Sequence, residues 1–290
     1  MPSPFVDTHV HLWDLEHPKL RYIWLGPGAS HPQLSSEELV ELGAASQTLE
    51  RFLAETEGSG MSKWIHVEAA IGTVDPVDET AWLQELAEQP GGPSAIIGAA
   101  ALRDADIVEQ LDRHGEHSAF RGVRDQTPAD AWEEPAFEHG YAELGRRGLV
   151  CSINAFWDEM PRAAALAERL PETTLVLDHM GFPQERSEVY FDQWRAGMHR
   201  LAEAESVICK ISEVGIMEPG WTTDSIRRWV LGCIEAFGVE RCVLGTNWPV
   251  DRLYGTYDEI VDAYRTIIAE LSEAEQRALL SDNAERIYRI

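Results

Sequence analysis

The stretch "FVDTHVH" (residues 5–11) reads as a short strand that carries two histidines one residue apart. Strand side chains alternate with period two, so Asp7, His9 and His11 are expected on one face and Val6, Thr8 and Val10 on the other. Seven more segments share its apolar, β-branched character: "KWIHVEA" (63–69), "AIIGAAA" (95–101), "FRGVRD" (120–125), "LVCSINA" (149–155), "TTLVLDH" (173–179), "VICKISE" (207–213) and "CVLGTNW" (242–248). Between them the pattern changes to helical periodicity, as in "DETAWLQELAEQ" (78–89). Strands covered on both faces and alternating with helices require a mostly parallel sheet. Eight such units in 290 residues predict an α/β fold, a (β/α)8 TIM barrel, with an open doubly wound sheet as the alternative. With no linker, internal repeat or low-complexity tract, one domain over residues 1–290 is expected.

In such a barrel the strand C-termini and the loops after them carry the chemistry. His9 and His11 would therefore converge on the mouth, where His179 closes the sixth strand and Asn247 the eighth. Glu68 and Glu213 close the second and seventh. Arg124, in phase with Gly122, points an arginine into the barrel, which is costly unless an anion meets it; a substrate carboxylate or oxyanion is the natural partner. Lys210, in phase with Ser212, also looks inward. Asp178 has the opposite phase to His179 and is expected to anchor backbone, and Arg121 to face the helices. His66 is expected in the core, and His114, His117, His139 and His199 on the surface. A Pro- and Gly-bearing excursion over residues 12–45 follows the first strand and is the candidate lid, dense in aromatic and basic residues (Arg21, Tyr22, Trp24), with His31 on it. Trp13, Tyr22, Trp248 and Asp251 are candidate substrate contacts beside Arg124.

Lys and Arg total 24 against 50 Asp and Glu, a formal charge of −26 that repels nucleic acid and anionic lipid. No run approaches the roughly 18 uninterrupted apolar residues of a membrane span, and the N-terminal residues lack the basic-then-apolar order of an export signal. Cys151, Cys209, Cys233 and Cys242 show no CxxC spacing and fit reduced, buried thiols. A cytoplasmic protein with a small-molecule partner is expected. The apolar helix face in "RRWVLGCIEAFGV" (227–239) would allow a homo-oligomer, or would pack on its own sheet.

The ordered set "DTHVHLWD", "FRGVRDQ", "LDHMGFP", "GVERCVLGTNWPVD" and "LLSDNAERIYRI" spans nearly the whole chain. On these motifs the chain resembles the amidohydrolase superfamily, and within it the amidohydrolase-related, lactonase-like group similar to pyrone-dicarboxylate and sugar-lactone hydrolases. The resemblance implies a barrel that adds water to an activated ester or amide. The general pattern uses the strand-one histidines, histidines ending strands five and six, and an aspartate ending strand eight to hold one or two divalent metals. His9, His11 and His179 match; strand five offers Asn154 and strand eight Asn247 instead, which argues against a binuclear site. An amide is no base at neutral pH, so the proton acceptor is sought among His179, Glu68, Glu213 and Asp251, with His179 and Glu68 favoured. His9, His11, His179 and Glu68 would suit one tetrahedral zinc, although metal-independent chemistry is known within the group. The implied activity is hydrolysis of a carboxylated or polyhydroxylated lactone by His179, Glu68, Asn247 and Arg124. Non-oxidative decarboxylation of an unsaturated or aromatic acid, and non-catalytic ligand binding, are the alternatives.

Overall fold

The computed structural model describes residues 4–290. Eight strands, β1 (Phe5–Val10), β2 (Met61–Val67), β3 (Ala95–Ala99), β4 (Phe120–Arg124), β5 (Val150–Ile153), β6 (Thr174–Leu177), β7 (Val207–Ile211) and β8 (Cys242–Leu244), form one parallel sheet in chain order. The sheet curls into a barrel whose first and last strands meet: Thr8 Oγ1 donates to Leu244 O (2.8 Å), the His11 N–H to Trp248 O (2.7 Å), and Val10 bridges Trp248. Gly245 sits at this seam, where a Cβ would lie 2.9 Å from that of His9. The (β/α)8 expectation therefore holds, with strand bounds within a few residues of those read from the sequence.

Helices cover the outside. The longest are α1 (Pro135–Arg147), α2 (Glu188–Ala202) and α3 (Thr223–Phe237), followed near the C-terminus by α4 (Tyr257–Ile267) and α5 (Asn283–Tyr288). Trp229, Val230, Cys233 and Phe237 of α3 are buried in the layer between helices and strands, so its apolar face packs on its own sheet. All four cysteines are free and buried. Among the described residues, no helix is long and apolar enough to cross a membrane.

One expectation about β1 fails for a specific reason. Asp7 pairs with Trp64 and Val10 with His66, so three residues of β1 span two of β2. This bulge resets the alternation. Below it Val6 packs in the barrel interior while Asp7 turns outward, its carboxylate accepting from Tyr257 of α4 and from Thr246. Above it Val10 packs outward among the helices, while His9 and His11 point in. Asp7 thus leaves the histidines, and Val6 parts from Val10.

The 12–45 excursion has its own small core. Trp13, Leu20, Tyr22, Leu34, Leu39 and Leu42 pack with Ala69, Ala70, Ile216 and Val250 from the loops after β2, β7 and β8. Trp24 Nε1 donates to Ala69 O (2.7 Å) and the Ile23 N–H to Ile71 O (3.0 Å). Burial of this kind makes the segment a packed roof rather than a loose flap.

Candidate active site

Under that roof, at the C-terminal end of the strands, lies a cavity of about 710 Å³. His11, Glu68, Arg124, His179, Glu213 and Asn247 reach it from six different strands, and Trp24, His31 and Gln33 close it from the roof. His179, Glu213 and Asn247 do not end their strands; they lie two or three residues beyond, each with left-handed backbone (φ 55, 63 and 59°). Non-glycine residues in this conformation are costly and concentrate where a site fixes side-chain direction. Here three consecutive strands turn a functional side chain into one cavity by the same device.

The three imidazoles form a cluster. His9 and His11 bring their Nε2 atoms to 3.1 Å, and the His9 and His179 ring centroids are 4.3 Å apart. His11 Nδ1 lies 2.9 Å from Val67 O and His179 Nδ1 2.9 Å from Ser212 Oγ. The Val67 carbonyl can only accept, so His11 carries its proton on Nδ1 and its Nε2 accepts from His9. Burial holds His9 and His179 well below the ordinary histidine range, with His179 pressing further on His9 and Arg124 on His179. Burial and Arg124 bring His11 to about 4. All three rings are neutral near pH 7.

Asp178 sits at the centre of this cluster, and its expected role as a backbone anchor is corrected. Strand β6 stops at Leu177, and Asp178–Gly181 fold into a tight turn, so strand alternation no longer separates neighbours and both Asp178 and His179 turn inward. The fully buried Asp178 carboxylate lies 2.8 Å from Lys210 Nζ, 3.3 Å from Arg124 Nε and 3.8 Å from His9 Nδ1, and accepts from Ser152 Oγ (2.9 Å). Arg124 thus meets an acid from below and extends Nη2 toward Asn154 Oδ1 (3.3 Å) and His179 Nε2 (3.4 Å) on the cavity side.

Two carboxyl groups face the same space. Glu68, one residue past β2, accepts from Gln126 Nε2 (2.7 Å), and burial raises its proton affinity. Glu213 Oε2 stands 3.2 Å from His179 Nε2; burial, reinforced by Asp251, lifts its carboxyl well above the usual range. Asp251 accepts from Asn247 Nδ2 (3.2 Å) and the Gly215 N–H (2.8 Å), and burial brings it to about 7.

The other expected substrate contacts lie behind the wall. Trp13 Nε1 donates to Ala45 O, Tyr22 OH accepts from the Asp14 N–H, and Trp248 Nε1 donates to Glu55. Each polar end is satisfied by a loop or helix residue and turned from the cavity, so Trp13 supports Trp24 edge to face (5.7 Å) while Trp24 forms the wall. Asp251 supports Asn247 from beneath. His66 is in the core as expected, its Nε2 3.0 Å from the Leu12 N–H. His114 is not on the surface: it is buried, paired with Thr80 Oγ1 (2.9 Å) and stacked on Phe120 (4.8 Å). Arg121 binds the Ser118, Phe120 and Arg289 carbonyls at the opposite end of the barrel. Sequence reading missed Gln126 and Ser212, although Ser212 had been noted in phase with Lys210.

His9, Asp178 and His179 each offer one ligand atom, all within 4.8 Å of one another and all buried. Two neutral imidazoles and a carboxylate suit a divalent cation, and His9 Nδ1 is a buried nitrogen with no hydrogen-bond partner. The donor set fits a metal. It shares His9 and His179 with the expected set and adds Asp178; His11 Nε2 lies 3.1 Å from His9 Nε2, and Glu68 Oε1 accepts from Gln126.

The family model described as "Amidohydrolase" matches residues 6–290. Across 98% of both chains the protein is 33% identical to the uncharacterized protein y4mH of Sinorhizobium fredii. It is 28% identical to an L-fucono-1,5-lactonase of Burkholderia multivorans over 98% of this chain and 95% of that one. A crystal structure of an amidohydrolase from Burkholderia multivorans with bound zinc superposes with a TM-score of 0.83 at 27% identity, covering 99% of this chain and all of the other. By its barrel, by the histidines and aspartate gathered at its mouth and by this end-to-end match, the chain belongs to the amidohydrolase family.

Proposed function

We propose that this protein hydrolyses a lactone, adding water to the ring carbonyl of a carboxylated or polyhydroxylated cyclic ester. One observation carries the reading: the neutral His179 Nε2 and the Arg124 guanidinium, 3.4 Å apart, face one cavity. The first can accept a proton from water; the second can hold the negative charge that develops on the carbonyl oxygen. The near full-length similarity to an L-fucono-1,5-lactonase supports the same chemistry.

Asn247, held by Asp251, orients the attacking water through its amide. His179 and Glu213, 3.2 Å apart, form a two-site proton acceptor, with Ser212 fixing the imidazole orientation. Glu68, its proton affinity raised by burial and its carboxyl steadied by Gln126, returns a proton to the alkoxide released when the ring opens. Arg124 steadies the oxyanion, and its own orientation is set by Asp178. A divalent ion, zinc by the donor types, would be held by His9, Asp178 and His179 and would supply Lewis acidity; with His179 engaged as a ligand, Glu213 beside it would take the proton.

The test is a panel of aldonolactones and carboxylated lactones, followed by proton release and by mass, with zinc analysis of the purified protein. The expected product is one water heavier than the substrate, and Arg124→Gln is expected to lose about a hundredfold in kcat/KM. Carbon dioxide release without uptake of water, or binding without turnover across the panel, would overturn the assignment.

A further inference from the structure

Lys210 is the buried cation that this mechanism leaves unused. Its side chain is fully inaccessible, and it lies beneath the cavity rather than on its wall. The ammonium faces Asp178 Oδ1 at 2.8 Å and has no other polar partner. A buried ammonium without a counter-charge is strongly disfavoured, so Asp178 is what makes Lys210 tenable as a cation.

Asp178 is also the carboxylate of the metal-ligating group. The oxygen that faces Lys210 is the one 3.8 Å from His9 Nδ1, while the other oxygen faces Arg124 Nε at 3.3 Å. Both oxygens are therefore already matched by a cation, two guanidinium or ammonium charges against one carboxylate. A divalent ion placed between His9 and Asp178 adds positive charge directly beside an ammonium that no solvent screens.

We propose that Lys210 is a built-in counter-cation. Its ammonium holds the Asp178 carboxylate in the position a divalent ion would otherwise claim, so that ion binding to His9, Asp178 and His179 exchanges one cation for another. Lys210 acts through Asp178 and is a positioning residue. The inference concerns the ion site alone and stands whether or not the substrate is a lactone.

The test uses the full chain, stripped of metal, as wild type, Lys210→Met and Lys210→Arg. Zinc affinity is read by competition with a chromophoric chelator and melting temperature by calorimetry, so neither readout needs a substrate. Lys210→Met is expected to bind zinc at least about tenfold more tightly than wild type, because a like charge beside the site is gone; Lys210→Arg, which keeps the charge, stays within about threefold. Zinc-free Lys210→Met melts below wild type, and saturating zinc raises its melting temperature by more than it raises that of wild type. Should the zinc-free variant fail to fold, refolding in zinc is expected to restore its native circular dichroism. Equal or weaker zinc affinity in Lys210→Met, or no recovery with zinc, overturns the proposal. A merely structural ion pair predicts the lost stability without the gain in zinc affinity.

Discussion

The two ends of the barrel are built from the same eight strands and hold opposite contents. At the N-terminal end the inward positions are Val6, Ile65, Ala95, Val150, Val176, Ile208 and Val243, sealed by Ala284 and Tyr288 of α5. Two or three residues further along, the inward positions become His9, Arg124, Ser152 and Lys210, with Asp178 and His179 just beyond their strand. The apolar end buries surface at no electrostatic cost and can be filled by close packing. The polar end holds an aspartate, two cations and three neutral imidazoles away from water, an arrangement that costs stability unless every partner is present. Stability and chemistry are thus divided along the barrel axis.

Substitutions at the two ends should therefore fail in different ways. The largest effect is expected at the mouth: His179→Asn removes the proposed proton acceptor and should lower kcat/KM by about a thousandfold. His199→Asn, on the exposed face of α2, should leave it unchanged. Steady-state kinetics on the two variants checks this, and similar activities would dissolve the distinction between the buried imidazoles and the rest.

At the other end Ile208→Ala opens a void in the sealed layer. It should cost roughly 2–5 kcal/mol of stability, measured by denaturant unfolding, with kcat/KM within about twofold of wild type. A rate loss there comparable to that of His179→Asn would mean that the two ends are mechanically coupled, and the comparison would break.

The apolar end was legible in the sequence because each strand reads as a short apolar, β-branched run set off by helical periodicity, and that pattern gave all eight strands and the barrel. Much of the mouth was legible too: His9, His11, Glu68, Arg124, His179 and Asn247 do gather there. Period-two reasoning failed wherever the backbone left strand geometry. The bulge in β1 separated Asp7 from the histidines it was expected to join, and the turn after β6 brought Asp178 in beside His179. Trp13, Tyr22 and Trp248 were misplaced for another reason. Being aromatic and close to the mouth in sequence does not say which way a side chain faces; their N–H and O–H groups found partners away from the cavity, and Trp24 took the wall. His114 shows the converse, a polar residue near a helix end drawn inward because Thr80 and Phe120 offered both a hydrogen bond and a stacking face.

The smallest effect sharpens the comparison by asking whether the polar end weakens with pH while the apolar end does not. Glu79 is buried behind the loop after β2, where its Oε1 accepts the N–H groups of Ala69 (2.9 Å) and Ala70 (2.8 Å). Burial, with Glu68 adding to it, raises its carboxyl to about 8 from 4.5. Folding therefore favours the protonated form, and between about pH 4.5 and 8 the folded chain binds more protons at this site than the unfolded one. Stability from this group is complete below the lower value and is lost as pH rises through the upper one, a decline of a few kcal/mol at most at about 1.4 kcal/mol per unit. Glu79→Gln keeps the hydrogen-bond acceptor and removes the titration. Urea unfolding from pH 5 to 8.5 should therefore show a shallower decline for Glu79→Gln than for wild type, whereas Ile208→Ala should fall in parallel with wild type, because no group in the apolar layer changes charge. A Glu79→Gln curve parallel to wild type would assign the pH dependence to other carboxyls of the mouth.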